Sequence, residues 1–522
     1  MLFNSYPFIF AFLPITLLGF FLLGGGARRR LAIAWLVLTS LFFYGWWEPA
    51  YLWVITTTMF FNYGAALALS SQRWQPPYKK AFLFACLSLN LLRLGYFKYA
   101  NFFVTNVNQI AGTDFHLAPI VLPLGISFFT FVEIAYLVDA YRGEVSDYNF
   151  LDYCLFITFF PHLLAGPIVH HKEMLPQFAN PRIYRFNARS MAIGITIFSL
   201  GLFKKAVLAD GVAVLANSVF NAATTGVQLT FLEAWGGSLA YTFQLYFDFS
   251  GYSDMAIGLG MMFGIKWPLN FYSPYKSVNI IEFWRRWHMT LSRFLRDYLY
   301  FSLGGNRKGP VRRHLNLLLT MLLGGLWHGA GWTFVIWGGL HGVYLVINHA
   351  WQALRQQLGL TRSQWWTREL SRVLTFLAVV VGWVFFRATN VETALSILQA
   401  MGGSHGLPFR GLSVIPPDGV NSALVRREVI ANATLSRPIF GDPLPGAVWI
   451  FGLLLVVRFL PNTYEFTRRF KPTCNDYHDP TIVSPTWLQW QPTPRWAIAL
   501  ATLLVLAIFQ LVENTEFLYF QF

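Results

Sequence analysis

Uncharged apolar runs of spanning or near-spanning length recur along the whole chain. Six of them, Pro7–Leu23, Leu31–Trp47, Pro49–Ser70, Leu117–Val132, Gly331–Ala350 and Trp496–Val512, contain no Asp, Glu, Lys or Arg. Each approaches the roughly 20 residues that a helix needs to cross a hydrocarbon layer. Shorter runs at Ala81–Leu92, Met191–Phe203, Ala234–Phe247 and Gly446–Val457 are too brief to cross upright. They predict re-entrant or half-buried helices, tolerated only where protein or a cavity covers the backbone. The pattern predicts an all-α, polytopic membrane bundle of about ten to twelve crossings. It shows no internal repeat and no second soluble domain, so residues 1–522 read as one membrane domain: a core over 1–401, a loop over 402–445 and C-terminal helices over 446–522.

Composition agrees, with 55% apolar and 12% charged residues, about half the charge of a soluble domain. The formal charge of +15 would suit nucleic acid, but the Arg and Lys residues fall in short segments between apolar runs, as the positive-inside rule requires. The partner those charges imply is a membrane surface. Arg28-Arg-Arg30 puts Met1 outside and the first loop in the cytoplasm; Lys204-Lys205, Arg307–Arg313, Arg355–Arg372 and Arg468–Lys471 read the same way. The polar 402–445 loop then faces the opposite side. The first run has no basic n-region or small-residue cleavage site and reads as a retained helix. Cys86, Cys154 and Cys474 are scattered and form neither a disulfide framework nor a zinc spacing.

Polar residues inside apolar stretches mark the candidate chemistry. Leu122–Phe131 carries Pro123 and Gly125 and predicts a kinked helix running on to Asp139 and Arg142, which can pair at i, i+3. Phe159–His171 holds His162, His170 and His171, but Pro161 and Pro167 interrupt it; a cavity-lining or interfacial turn is the better reading than a metal shell. Gln244, Asp248 and Gly251 share one helix face, with Asp254 just beyond. Carboxylates there must be paired or protonated. The expected role is a structural polar cluster, with Arg285 and Arg286 as natural partners. Asn432-Ala-Thr434 is a weak glycosylation match, and the tail from Glu513 to Phe522 is acidic and aromatic.

The richest stretch is Glu282–Gly342. It opens on Glu282-Phe-Trp-Arg-Arg-Trp-His288, passes Leu303-Gly-Gly-Asn-Arg-Lys-Gly309, and enters an apolar run with Gly325-Leu-Trp-His328-Gly and Leu340-His341-Gly342. An ionisable group at membrane depth is costly and usually marks a site. A His is also the natural general base near neutral pH. Against this, small residues beside a hydrogen-bonding His are ordinary helix-packing glue. A proton-relaying transporter or flippase would use such histidines too, but is expected to show two related halves.

These stretches resemble the membrane-bound O-acyltransferases, and within them the bacterial branch of alginate O-acetyltransferase membrane subunits. The resemblance rests on Phe243–Asp254, Glu282–Ser292, Leu303–Arg307, Leu326–Ala330, Pro123–Phe131 and Phe159–Pro167. The chain departs from the family pattern at Glu133, His162 and His170. The resemblance implies a helical bundle whose two facing funnels meet at a central tunnel, with His328 and His288 as catalytic residues and no demand on His341. It implies a bacterial inner-membrane enzyme that binds no cofactor and uses an acyl thioester, most simply acetyl-CoA, as co-substrate. Trp284, Arg285, Arg286, Asn306 and Trp327 are the expected donor-binding residues. The acceptor side implies an exported polysaccharide such as alginate, or a periplasmic SGNH-type acetyltransferase partner. D-alanyl transfer to another envelope polymer is the alternative within the family.

Overall fold

The computed structural model describes residues 1–25, 28–71, 73–118, 120–145, 149–360, 364–406, 443–477, 485–511 and 518. Most of the expected 402–445 loop, Asn432 within it, and the 513–522 tail apart from Leu518 lie outside the described residues.

The first helices are α1 (Leu13–Leu23), α2 (Arg29–Gly45), α3 (Leu52–Ser70), α4 (Pro76–Ala111) and α5 (Ile126–Tyr141). Three short ones follow, α6 (Phe150–Thr158), α7 (Phe160–Leu163) and α8 (His171–Ala179). Next come α9 (Ala188–Phe203), α10 (Asp210–Thr224) and α11 (Phe231–Met262), then the short α12 (Ile280–Arg286) and α13 (Met289–Phe294). The chain continues through α14 (Gly309–His328), α15 (Trp332–Gln357), α16 (Trp365–Arg387) and α17 (Val391–Met401) to α18 (Pro443–Phe459), α19 (Thr463–Thr467) and α20 (Pro494–Phe509). Among the described residues there is no strand, only one isolated bridge between Trp267 and Thr473.

By length and composition, four described stretches can cross a membrane: Pro49–Ser70, Pro76–Ala111, Ala188–Thr224 and Trp365–Arg387. A fifth forms if the bent pair Gly446–Phe459 and Thr463–Phe470 is one span. The expected ten to twelve crossings counted apolar runs that fall short of this test, among them Phe8–Leu23 and Pro494–Phe509.

The shorter runs are corrected. Ala81–Leu92 is part of the 36-residue α4, Met191–Phe203 continues through a π-helical turn into α10, and Ala234–Phe247 lies within the 32-residue α11. Counting stops at each charged residue, but a helix carries a charge through the interior when a partner meets it. Lys205 pairs with Asp248 at 2.6 Å and Asp210 at 2.8 Å, and Lys204 pairs with Asp254 at 2.6 Å. The carboxylates of α11 therefore take their cations from the π turn, not from Arg285 or Arg286. Arg286 is spent on Glu282, one turn back. Gln244, on the same face, is buried. Leu117–Val132 is corrected as well: the helix starts only at Ile126, with Pro123 and Gly125 in the segment before it.

Small residues set how closely the central helices approach. A Cβ on Gly194 or Gly258 would lie 2.7 Å or less from backbone across the α9–α11 contact, and Gly201 and Gly251 repeat this a heptad away. At the α14–α15 contact, a Cβ on Gly325 would stand 2.3 Å from the Phe334 carbonyl oxygen, and one on Gly338 2.3 Å from that of Met321. Without a hydrophobic drive between helices in lipid, such backbone approach is what holds a bundle together.

Gly258→Leu should abolish the monodisperse detergent-extracted protein on size exclusion, whereas Gly64→Leu, at a position open to space, should leave it unchanged. Lys205→Met strands the buried Asp248 and should destabilise the fold by about 3–5 kcal/mol in thermal or denaturant unfolding. Adding Asp248→Leu should recover part of that loss, and no recovery would contradict the pairing.

Candidate active site

His328 is the last residue of α14, and Gly329 leaves the helix in extended conformation. Trp337 of α15 stands perpendicular to its ring at 5.0 Å, with Trp327 at 5.0 Å and Phe386 of α16 at 5.2 Å. Trp337 in turn stacks on Trp383. The Gly325–Gly338 contact puts Trp337 over His328, since it lets α15 lie against the last turns of α14. The result is an imidazole in an aromatic, low-dielectric wall, where charge–dipole interactions are strong.

His288 sits between α12 and α13 with φ 43° and ψ 53°, a left-handed conformation that a non-glycine residue rarely adopts. The bend turns the buried imidazole against Phe249, 4.7 Å between ring centroids. It also brings Nδ1 within 3.0 Å of the Asn270 side-chain oxygen. That oxygen also accepts from the Thr290 hydroxyl at 2.9 Å, while the Asn270 amide donates to Ser253 at 3.0 Å. An amide oxygen can only accept, so Nδ1 of His288 carries the proton and Nε2 is its acceptor position. Trp337 lies 5.0 Å from His328 and 4.9 Å from His341, ring centroid to ring centroid, and Lys98 lines the same narrow pocket as His328, so these side chains form one group.

Two cavities approach this group. A cleft of 620 Å³ is lined by Trp284, Arg285, Met289, Thr290, Arg293, Asn306, Arg313, Met321 and His349 among others. A 380 Å³ annex shares Ile281, Arg285, His349 and Tyr477 with it. A second, narrow pocket of 40 Å³ is lined by Lys98, Leu122–Phe128, Leu164, Trp327 and His328. The cleft and the pocket share no lining residue.

The narrow pocket lies at the N-terminal end of α5, and part of the cleft wall packs toward its C-terminal end. The pocket takes in the N-terminal turn of that helix. At the other end, Asp139 accepts from the Tyr298 hydroxyl at 3.0 Å, in the π turn whose Leu295, Arg296 and Tyr300 line the cleft. The cleft also lies on the side of Arg28–Arg30. Arg29 donates to the Ala179 carbonyl at the end of α8, and Glu173 of α8 pairs with Arg293 at 2.9 Å.

Of the donor-side residues expected from sequence, Trp284, Arg285 and Asn306 line the cleft. Arg286 is buried against Glu282, and Trp327 lines the narrow pocket. Asn306 accepts from the Tyr300 hydroxyl. Asp248 and Asp254 belong to the π-turn cluster, and Thr463 also donates to Asp254 at 2.6 Å. His341 accepts at Nδ1 from the Trp284 indole at 3.2 Å, fixing that wall of the cleft. His171 pairs with Asp139 at 3.3 Å, and Asp139 with Arg142 at 3.9 Å. Glu133 is buried against Arg93 at 3.2 Å. Among the described residues no three His, Cys, Asp or Glu side chains gather as a metal set.

Sequence reasoning missed Lys98, Asn270, Arg313 and His349. Lys98 did leave a signal, as a lone cation in an apolar stretch. Asn270 left none, because its partners are distant in sequence. Arg313 was read only as part of the basic Arg307–Arg313 segment, and its partner His349, 2.8 Å away, is 36 residues on.

Comparison with known proteins follows this geometry. Residues 41–388 match the model of the membrane-bound O-acyltransferase family, a span that holds both histidines and most of both cavities. A peptidoglycan O-acetyltransferase of Helicobacter pylori is 47% identical over 440 residues, covering 79% of this chain and 82% of that protein. A probable alginate O-acetylase of Azotobacter vinelandii is 44% identical over 456 residues, covering 86% and 87%. A teichoic acid D-alanyltransferase of Bacillus subtilis is 30% identical over 274 residues, covering 50% of this chain and 68% of that protein. With a matched span that encloses a walled-in histidine between two separate cavities, the chain belongs to the membrane-bound O-acyltransferase family and is an O-acyltransferase.

Proposed function

We propose that this protein moves an acetyl group from a cytoplasmic thioester, most simply acetyl-CoA, across the bacterial inner membrane to an exported hydroxyl, for O-acetylation of an envelope polysaccharide. The observation that carries this reading is a pair of cavities with no lining residue in common, His328 on the narrow one and Arg285, Arg293 and Arg313 on the wide one. The cleft is on the side that the positive-inside rule assigns to the cytoplasm. Arg285 and Arg313, neither with a carboxylate partner among the described residues, suit the phosphates of the donor. The names of the Helicobacter and Azotobacter relatives support acetyl as the group and a wall or exopolysaccharide polymer as its destination. A periplasmic SGNH-type partner would carry the group onward.

In the reaction, the acceptor oxygen attacks the thioester carbonyl carbon as its proton passes to His328. The C–S bond breaks, and the proton goes on to the leaving thiolate, giving an ester and free thiol. The same histidine carrying the acetyl group transiently would split this into two steps. The Nδ1–H tautomer of His288 leaves an acceptor at Nε2, which suits orienting the acceptor hydroxyl. Stabilising the carbonyl oxygen as charge develops then falls to a neighbouring donor.

His328→Ala should lower polymer O-acetylation by at least about 10²-fold at equal protein level; near-normal acetylation in cells would end the assignment. Arg285→Ala and Arg313→Ala should each raise the KM for acetyl-CoA about tenfold, the worth of one charge-assisted contact, with kcat little changed. An unchanged KM in both would remove the cleft as the donor site. D-alanyl transfer, suggested by the Bacillus relative, predicts instead that acetyl-CoA is not consumed at all.

A further inference from the structure

The end of α14 raises a question that its own sequence does not answer. An α-helix leaves its last carbonyls without intrahelical partners, and in hydrocarbon no water replaces them. Gly329 is extended and no backbone bond caps the helix. The partners come from two consecutive residues of α4. The Lys98 ammonium donates to the carbonyl oxygens of Trp327 at 2.6 Å and His328 at 3.0 Å, and approaches the Ser127 hydroxyl at 3.4 Å. The Tyr99 hydroxyl donates to the carbonyl of Leu326 at 2.7 Å. Three successive carbonyls, 326 to 328, are thus held from a helix more than two hundred residues away in sequence.

Lys98 is half-buried, lines the same 40 Å³ pocket as His328, and lies over the Trp327 ring at 5.9 Å. A cation at a helix C-terminus is favoured by the helix dipole, and an ammonium has three protons for three acceptors. Bonding the backbone of His328 itself, it sets where the imidazole stands in the pocket.

We infer that Lys98, seconded by Tyr99, is the positioning residue of the transfer reaction: a side-chain cap from α4 that stops α14 at His328 and holds the imidazole at the acceptor-side pocket. This rests on His328 being the base, as proposed above. Because the donor cleft contains no residue of α4, removing the cap should act on turnover and not on donor binding.

The test is steady-state kinetics of purified protein with acetyl-CoA, at matched folded amounts. Lys98→Met should lower kcat at least 30-fold with the KM for acetyl-CoA within twofold, and Tyr99→Phe should lower kcat a few-fold. Lys98→Arg, or ethylammonium added to Lys98→Ala, should restore at least a tenth of the lost turnover. Wild-type kcat in Lys98→Met would overturn the inference, as would a loss that brings a raised donor KM or a lowered Tm with it. Failure of both rescues would also overturn it. His328→Ala run alongside separates the two ideas: an active His328→Ala sinks the functional reading, whereas an inactive one beside an active Lys98→Met sinks only the cap.

Discussion

A helix that stops inside a membrane bundle leaves carbonyls that only protein can meet, and α14 stops at His328. The arrangement of the site answers that constraint. Two side chains of α4 take up three of the four open carbonyls. Gly325 and Gly338 let α15 come to backbone contact with α14, which seats Trp337 across the imidazole. The His328 ring is placed by helix termination, and the narrow pocket lies beside it.

Similar accounting governs the rest of the interior. Lys204 and Lys205 enter the bundle on a π-helical turn, where the extra residue in the turn sends both inward to Asp254 and Asp248 of α11. His288 accepts a left-handed backbone, and its ring is tied to Asn270, Thr290 and Ser253. Strain of that kind persists only where the surroundings over-determine it, as they do at functional sites.

Separate cavities give the molecule direction. The wide cleft carries cations suited to a large anionic donor, and the narrow pocket admits little more than a reacting group. Under the proposed function, with aromatic side chains around the histidine, a donor and an acceptor need never share a compartment. Excluding water from such a centre also strengthens the dipoles that act on the transition state.

The hydrophobic pattern alone was enough for helix class and membrane residence, because burial in hydrocarbon demands apolar runs. The family resemblance singled out His328 and His288 as the candidates. Apolar-run counting cut α4, α9 and α11 short at Arg93, Lys204 and Asp248, because whether a charge ends a span depends on a partner that may be distant in the chain. The pairing of Asp248 with Lys205, the tie between His288 and Asn270, and the hold of Lys98 on residues 327 and 328 were settled only by tertiary structure. The physical reason is the same in each case. Sequence determines which groups must be satisfied, and only packing decides which distant group satisfies them.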